Sequence, residues 1–378
     1  MAALDPGARH QLGVDWRAIQ AATRSRVSAQ RVLAANSSGR LWASFCNTTG
    51  IDPESLPADP VPILQLFAQR LRSGTVSTDR RPMRSRNVEE VLRAVGQTYA
   101  GLGTADPRVN AHGKLDFRIA SLFRSWAQAD PPPSRVKPLP ITLLRRVVAL
   151  AHQANCPVAR AEATTLTIGV FFLLRPGEYV GYPNNTTDSL IRIRDLTLWV
   201  GARALDHWHC PAADLRAATF ASLTFTRQKN GVRGEKIGHG RSGDPHICPV
   251  LCLVERVLTL RDLPATTPAT PLNARGPAHP GGPLRYIMSA DLTRRIRATL
   301  AGVYPDPSYL PTDVSARSTR AGGAMALLCA GVTGERIRMI GRWRSDELYR
   351  YLHVQAQPVM TGLSAAMLTG GSFRLAPG

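Results

Sequence analysis

Ala316-Arg317-Ser318-Thr319-Arg320-Ala321-Gly322-Gly323-Ala324, then Ile340-Gly341-Arg342-Trp343-Arg344-Ser345-Asp346 and Tyr349-Arg350-Tyr351, is the stretch on which the reading of this chain turns. It falls in a C-terminal part that reads as helical to about Leu368. Ser345 is placed to cap a helix carrying the two tyrosines, and Leu348 and Leu352 form an apolar i, i+4 pair on it. On that helix Tyr349 and Tyr351 point roughly 200° apart, at about 100° per residue, so only one can face a given group. The bland alternative makes both tyrosines packing residues.

Two stretches upstream carry further chemistry. In Phe172-Leu173-Leu174-Arg175-Pro176-Gly177-Glu178-Tyr179 an apolar helix ends in an arginine, Pro-Gly and an acid. In Lys229-Asn230-Gly231 the Asn-Gly pair signals a hairpin after the strand-like Ser222–Thr226. Lysine is rare here: Lys114, Lys137, Lys229 and Lys236 complete the set in a chain that otherwise writes arginine. Arginine cannot release a proton near neutral pH, whereas a suitably placed lysine can. Lys236 is the rival to Lys229 within the hairpin.

The rest of the second part reads as helices at Ile141–Leu150, Ala161–Leu174 and about Pro249–Arg261, with strand-like Leu190–Arg194 and Leu196–Val200 and a loop over Pro264–Pro283. That is an α+β pattern, helices around a small sheet. Ahead of it, Asp130-Pro131-Pro132-Pro133-Ser134-Arg135-Val136-Lys137-Pro138-Leu139-Pro140 cannot be helix interior or central strand. It reads as a stiff linker and divides the chain into residues 26–134, helical, and 135–378, mixed. The first 25 residues show no sustained pattern and read as a loose tail. In the helical part Leu64, Phe67, Ala68 and Leu71 share one face, and Val88, Val91, Leu92, Val95 and Tyr99 another, on a helix starting near Asn87 with Glu90 placed for a capping box.

The formal net charge is +20. So basic a chain has an acidic partner, and double-stranded DNA is the usual one. Arg80, Arg81, Arg84 and Arg86 form a basic connector between helices and are candidate phosphate contacts, as is Lys137 in the linker. No apolar run approaches the roughly 18 residues of a membrane span, the N-terminus lacks a secretory pattern, and the six cysteines form no CxxC pair. A reduced, intracellular protein without a membrane partner is expected. His207, His209, Cys210, His246, Cys248 and Cys252 match no standard zinc spacing and read as packing residues.

Taken together, the Arg175, Lys229, Arg320 and Gly341-to-Tyr351 segments resemble the tyrosine recombinase (phage integrase) family. The resemblance covers about Arg135 to Leu368, and more loosely the helical part as the family's core-binding domain. Residues 130–138 and 340–346 are further similar to recombinases of eukaryotic mobile elements of the Crypton type, which would place the protein in a nucleus. The resemblance implies a mostly helical α+β fold, with a helical core-binding domain and a catalytic domain bearing a small antiparallel sheet. The two would clamp duplex DNA. It implies cutting and rejoining through a 3′-phosphotyrosyl link without metal, ATP or other cofactor. Tyr351, ten residues beyond Gly341, matches the nucleophile, with Arg175 and Arg320 as phosphate clamps and Lys229 as general acid. Arg317 stands where the family usually has histidine. Arg342 stands at its later histidine or tryptophan, and Trp343, one residue on, is the substitute for both the indole donor and its packing. The resemblance also implies a homo-tetramer on DNA, built through a C-terminal segment at Gln355–Leu368. Two other readings stay open: a type IB topoisomerase, and an element-derived DNA-binding protein that has lost activity.

Overall fold

A computed structural model describes residues 6–25, 29–76, 81–132, 136–181, 189–228, 232–279, 281–303, 309–344, 348–349 and 357–361. The chain divides into two compact units, Met1–Pro133 and Ser134–Gly378.

Among its described residues the first unit holds five helices: α1 (Pro6–Ser25), α2 (Ala29–Thr49), α3 (Val61–Ser73), α4 (Ser85–Gly101) and α5 (Phe117–Ala129). The apolar stripes explain their packing. Leu64, Phe67, Ala68 and Leu71 of α3 are buried against Val88, Leu92 and Val95 of α4 and against Trp42 and Phe45 of α2. The Phe67 ring lies 5.0 Å from Trp42 and 5.1 Å from Phe45, and each such buried ring contributes about 1.5–3 kcal/mol. Tyr99 accepts from Trp42 Nε1 at 3.1 Å and donates to the Pro53 carbonyl at 2.5 Å. Its hydroxyl is thus satisfied at the edge of this core.

Two expectations need correction in this unit. Residues 6–25 are helical, not a loose tail. Its large apolar residues Leu12, Trp16 and Ile19 are exposed. Second, α4 starts at Ser85, and no capping box forms at Asn87 and Glu90. The carboxylate of Asp130 instead accepts from the Ser85 backbone N–H at 2.8 Å and from its hydroxyl at 2.6 Å. It also pairs with Arg72. The orphan donors of a helix start need an acceptor, and here it comes from the end of α5. Glu90 pairs weakly with Arg86 at 3.6 Å.

The second unit is built around α7 (Pro157–Phe171), which is buried on nearly every side. It packs against α6 (Ile141–Gln153), α10 (Pro249–Arg261), α11 (Ser289–Val303) and α12 (Ser318–Cys329). Four antiparallel strands, β1 (Leu196–Val200), β2 (Arg203–Leu205), β3 (Phe220–Phe225) and β4 (Glu235–Gly240), lie in the order β2-β1-β3-β4. Leu196 sits opposite Leu223, and Leu223 opposite Ile237. A second small sheet pairs β5 (Ala274–Arg275), inside the expected loop, with β6 (Arg285–Tyr286), just beyond it. The short helices α8 (Pro176–Tyr179), α9 (Ala212–Arg216), α13 (Gly334–Gly341) and α14 (Gln357–Met360) complete the described α-helices.

Leu190–Arg194 is not a strand. Ile193–Asp195 curls into a 3-10 turn because the Asp195 carboxylate accepts the Arg192 N–H at 2.9 Å. The end of the proline-rich stretch, which reads as a stiff linker, is anchored in the second unit. Leu139 is fully buried, and its N–H donates to the Ser318 carbonyl at 3.1 Å, fixing that segment to the start of α12.

Candidate active site

The site forms where the end of α7 meets the start of α12. Leu173 adopts a left-handed conformation (φ 48°). Such a conformation costs a non-glycine residue roughly 1–2 kcal/mol. It ends α7 and turns the Leu173 carbonyl inward, where it accepts from both Arg320 and Arg342. Arg175 follows as the N-cap of α8, with Pro176 in the first turn, where proline's missing N–H does no harm. Glu178, three residues on, accepts from the Arg175 N–H at 2.8 Å and from its Nη1 at 3.0 Å. The Arg-Pro-Gly-Glu motif is therefore a self-capped turn that fixes Arg175, whose side chain remains 27% exposed.

The glycine pair of the Arg-Ala-Gly-Gly motif has a steric reason. A methyl group on Gly322 would strike the backbone of Leu139, and one on Gly323 would strike the Val170 carbonyl. Their absence lets α12 lie directly on α7 and brings Arg320 to Leu173. Tyr179 locks the same joint. Its hydroxyl donates to the Ala316 carbonyl at 2.9 Å and lies 3.2 Å from Thr319 Oγ1. Gly169 leaves room for its ring.

Arg320 is buried, donates to the Leu173 and Gly341 carbonyls, and lies with its guanidinium carbon 4.0 Å from the centre of the Trp343 ring. Trp343 is itself buried with Leu173, Ala324, Ile337 and Leu348 and packs over Gly341, where no side chain would fit. The structure thus gives Trp343 a packing place under Arg320; the sequence suggested packing together with an indole donor. Arg317 is exposed at the N-cap of α12.

Sequence reading underestimated two residues. Arg342, also left-handed (φ 59°), has a side chain with no exposure at all. It grips Glu178 with two parallel bonds of 3.1 and 3.0 Å, reaches Gln228 Oε1 at 3.4 Å, and lies 3.5 Å over the Phe225 ring. Burial alone would push the Glu178 carboxyl up. The charge and hydrogen bonds of Arg342, then the Arg175 N–H and charge, outweigh that and hold it below its ordinary value. One buried carboxylate therefore serves two arginines. An acid three residues after Arg175 was the visible signal. Nothing local marked Arg342 as its partner.

Lys229 and Tyr351 lie outside the described residues, as does Arg80. Among the rivals, Tyr349 is exposed, and Lys236 is exposed on β4 opposite Thr224. Arg81, Arg84 and Arg86 are exposed ahead of and on α4. Lys137 is engaged within its own unit, 2.8 Å from Asp313 and over the Tyr309 ring. Among the described residues, no three His, Cys, Asp or Glu side chains gather as a metal site. His209 pairs with Asp206, His246 packs on His152, and burial pushes the Cys252 thiol up to about 12.

No protein-family model matches the sequence, and no curated protein does. Among solved structures, the Tn1549 transposon integrase in complex with transposon right end DNA aligns over 94% of this chain and 98% of its own, with a TM-score of 0.50 and 12% identity. The fold is that of the tyrosine recombinases. Two further tyrosine recombinase structures align at 12% identity. XerA covers 94% of this chain and 97% of its own at TM-score 0.36. XerH bound to its difH substrate covers 88% and 96% at 0.40. The finer resemblance to Crypton-type recombinases has no counterpart among them. Within this fold the two arginine motifs meet at one joint, and the end of β3 brings Gln228 to it.

Proposed function

We propose that this protein is a DNA strand transferase that cuts and rejoins DNA through a phosphotyrosyl intermediate. The observation that carries the reading is the meeting of two motifs distant in sequence. Arg320 donates to the carbonyl of Leu173, a residue 147 positions away and two ahead of Arg175, so the Arg320 helix is bonded to the segment that leads into the Arg175 turn. The fold of a DNA-bound transposon integrase and the net charge of +20 support the same conclusion. In the reaction, the Tyr351 oxygen bonds to phosphorus, and the bond from phosphorus to the 5′-oxygen breaks. The tyrosine proton leaves to a base or water, and Lys229 protonates the 5′-oxygen. Arg175 and Arg320 neutralise the charge that grows on the non-bridging oxygens, which is worth about 10²–10³ in rate per donor. The free 5′-hydroxyl of another strand then reverses these steps. DNA binding through Arg81, Arg84 and Arg86, and assembly as a tetramer through residues 355–368, belong to the same proposal.

A second reading has two observations in its favour. Arg317 replaces a residue able to take a proton, and Arg320 is buried with both Nη atoms on backbone carbonyls. Such a chain could bind DNA without cutting it. Trapping on a duplex nicked next to the scissile phosphate separates the two, since the short 5′-hydroxyl fragment diffuses away and religation fails. The transferase reading expects a covalent adduct mapping to Tyr351, abolished in Tyr351→Phe while DNA binding persists. An adduct through Tyr349 would overturn the residue assignment. No adduct on a genuine site would favour the inert protein.

A further inference from the structure

We infer that Arg342 is a positioning residue, which sets both phosphate-gripping arginines from beneath through the Glu178 carboxylate and the Leu173 carbonyl, and does not touch DNA itself. The inference rests on the strand-transfer reading above. By sequence, Arg342 occupies a slot from which the resembling family offers a donor to the phosphate. Its geometry instead commits it inward: the side chain has no exposed surface, lies over Phe225 and is bound through both Nη atoms to the carboxylate that also holds Arg175. Two of its nitrogens are committed. Nη1 is shared between Glu178 Oε1 and Gln228 Oε1, and Nη2 between Glu178 Oε2 and the Leu173 carbonyl.

Each acceptor is also held by another part of the site. Glu178 Oε1 receives Arg175 Nη1, and Oε2 receives the Arg175 N–H. The Leu173 carbonyl receives Arg320. Gln228 in turn donates to Glu235 at 2.5 Å across the mouth of the β3–β4 hairpin. Arg342 therefore joins the first arginine, the second arginine and the hairpin that leads to Lys229. Its left-handed backbone just after α13 is what turns the guanidinium inward. A planar fork is needed to reach a carboxylate and a carbonyl together, and a lysine ammonium cannot reproduce it.

The test compares full-length wild type, Arg342→Gln and Arg342→Lys on nicked duplexes carrying an ordinary or a methylphosphonate linkage at the scissile position. The methylphosphonate lacks one anionic oxygen, so it depends less on well-placed guanidiniums. The readout is the ratio of adduct-forming rates on the two substrates within one protein preparation, which cancels any difference in folded fraction. A misplacement of about 1 Å costs on the order of 10²-fold. The ratio of ordinary to methylphosphonate rate should therefore fall at least about tenfold in Arg342→Gln, and less in Arg342→Lys. In an Arg175→Ala, Arg320→Ala background, adding Arg342→Gln should leave the ratio unchanged, because Arg342 acts through those two residues. Equal loss on both substrates would mean a merely structural role and would overturn the inference. So would a further full drop of the ratio in the double-alanine background, which would place Arg342 on the phosphate. Absence of adduct from the wild type itself overturns the strand-transfer reading and this inference with it. Wild-type adduct with unaffected variants overturns the positioning role alone.

Discussion

At the scale of single residues, the site depends on a charge that never meets solvent. Glu178 and Arg342 are both buried, and removing one partner of such a pair leaves the other uncompensated. Glu178→Ala should therefore lower unfolding stability by about 3–5 kcal/mol in urea titration. The pH dependence follows from the direction of the Glu178 shift. Its folded value lies below its ordinary 4.5, so the stabilisation is fully present above about 4.5 and is lost as pH falls through the lower folded value. The stability gap between wild type and Glu178→Gln should be largest near neutrality and narrow in acid. A gap that stays constant with pH would mean the carboxylate is not ionised in the folded protein.

At the scale of elements, close approach of helices places the chemistry. Gly323→Ala puts a methyl group into the Val170 carbonyl, so α12 must move off α7. A loss of about 1–3 kcal/mol is expected, as for other overpacked joints, with a larger proportional loss of adduct formation than of DNA binding. In the first unit, Asp130→Ala removes the acceptor that starts α4. Hydrogen exchange at the first-turn amides of α4 should quicken while the amides of α3 keep their protection. The hydrogen bonds from Ser85, then the pairing with Arg72, bring the Asp130 carboxyl down to about 2. This cap should persist from neutrality down to the ordinary value of 3.8 and be lost as pH falls toward 2. Periodicity made α3 and α4 legible in the sequence, and the arginine motifs made the joint between α7 and α12 legible. The cap on α4 was not, because its acceptor lies 45 residues away. Nor was the burial of Arg342, since an arginine's environment depends on a partner 164 residues distant. The three-residue β2 offered too little alternation to be seen.

For the whole molecule, the proposed DNA partner makes the net charge of +20 a testable quantity. Affinity for duplex DNA should fall steeply with salt. Replacing Arg81, Arg84 and Arg86 with Ala should flatten the log–log slope by about 0.9 for each phosphate that is no longer neutralised. An unchanged slope would remove that connector from the DNA surface. The shared carbonyl of Leu173 and the shared carboxylate of Glu178 also bear on how such a protein can diverge. Exchanging Arg342 for a smaller residue while keeping a buried Glu178 would leave that carboxylate to Arg175 alone, an under-compensated buried charge that disfavours the intermediate ancestor. Positions 178 and 342 should accordingly covary across descendants of this chain, with neutral pairs replacing the ionic one in a single concerted step, while exposed Arg317 drifts independently of both.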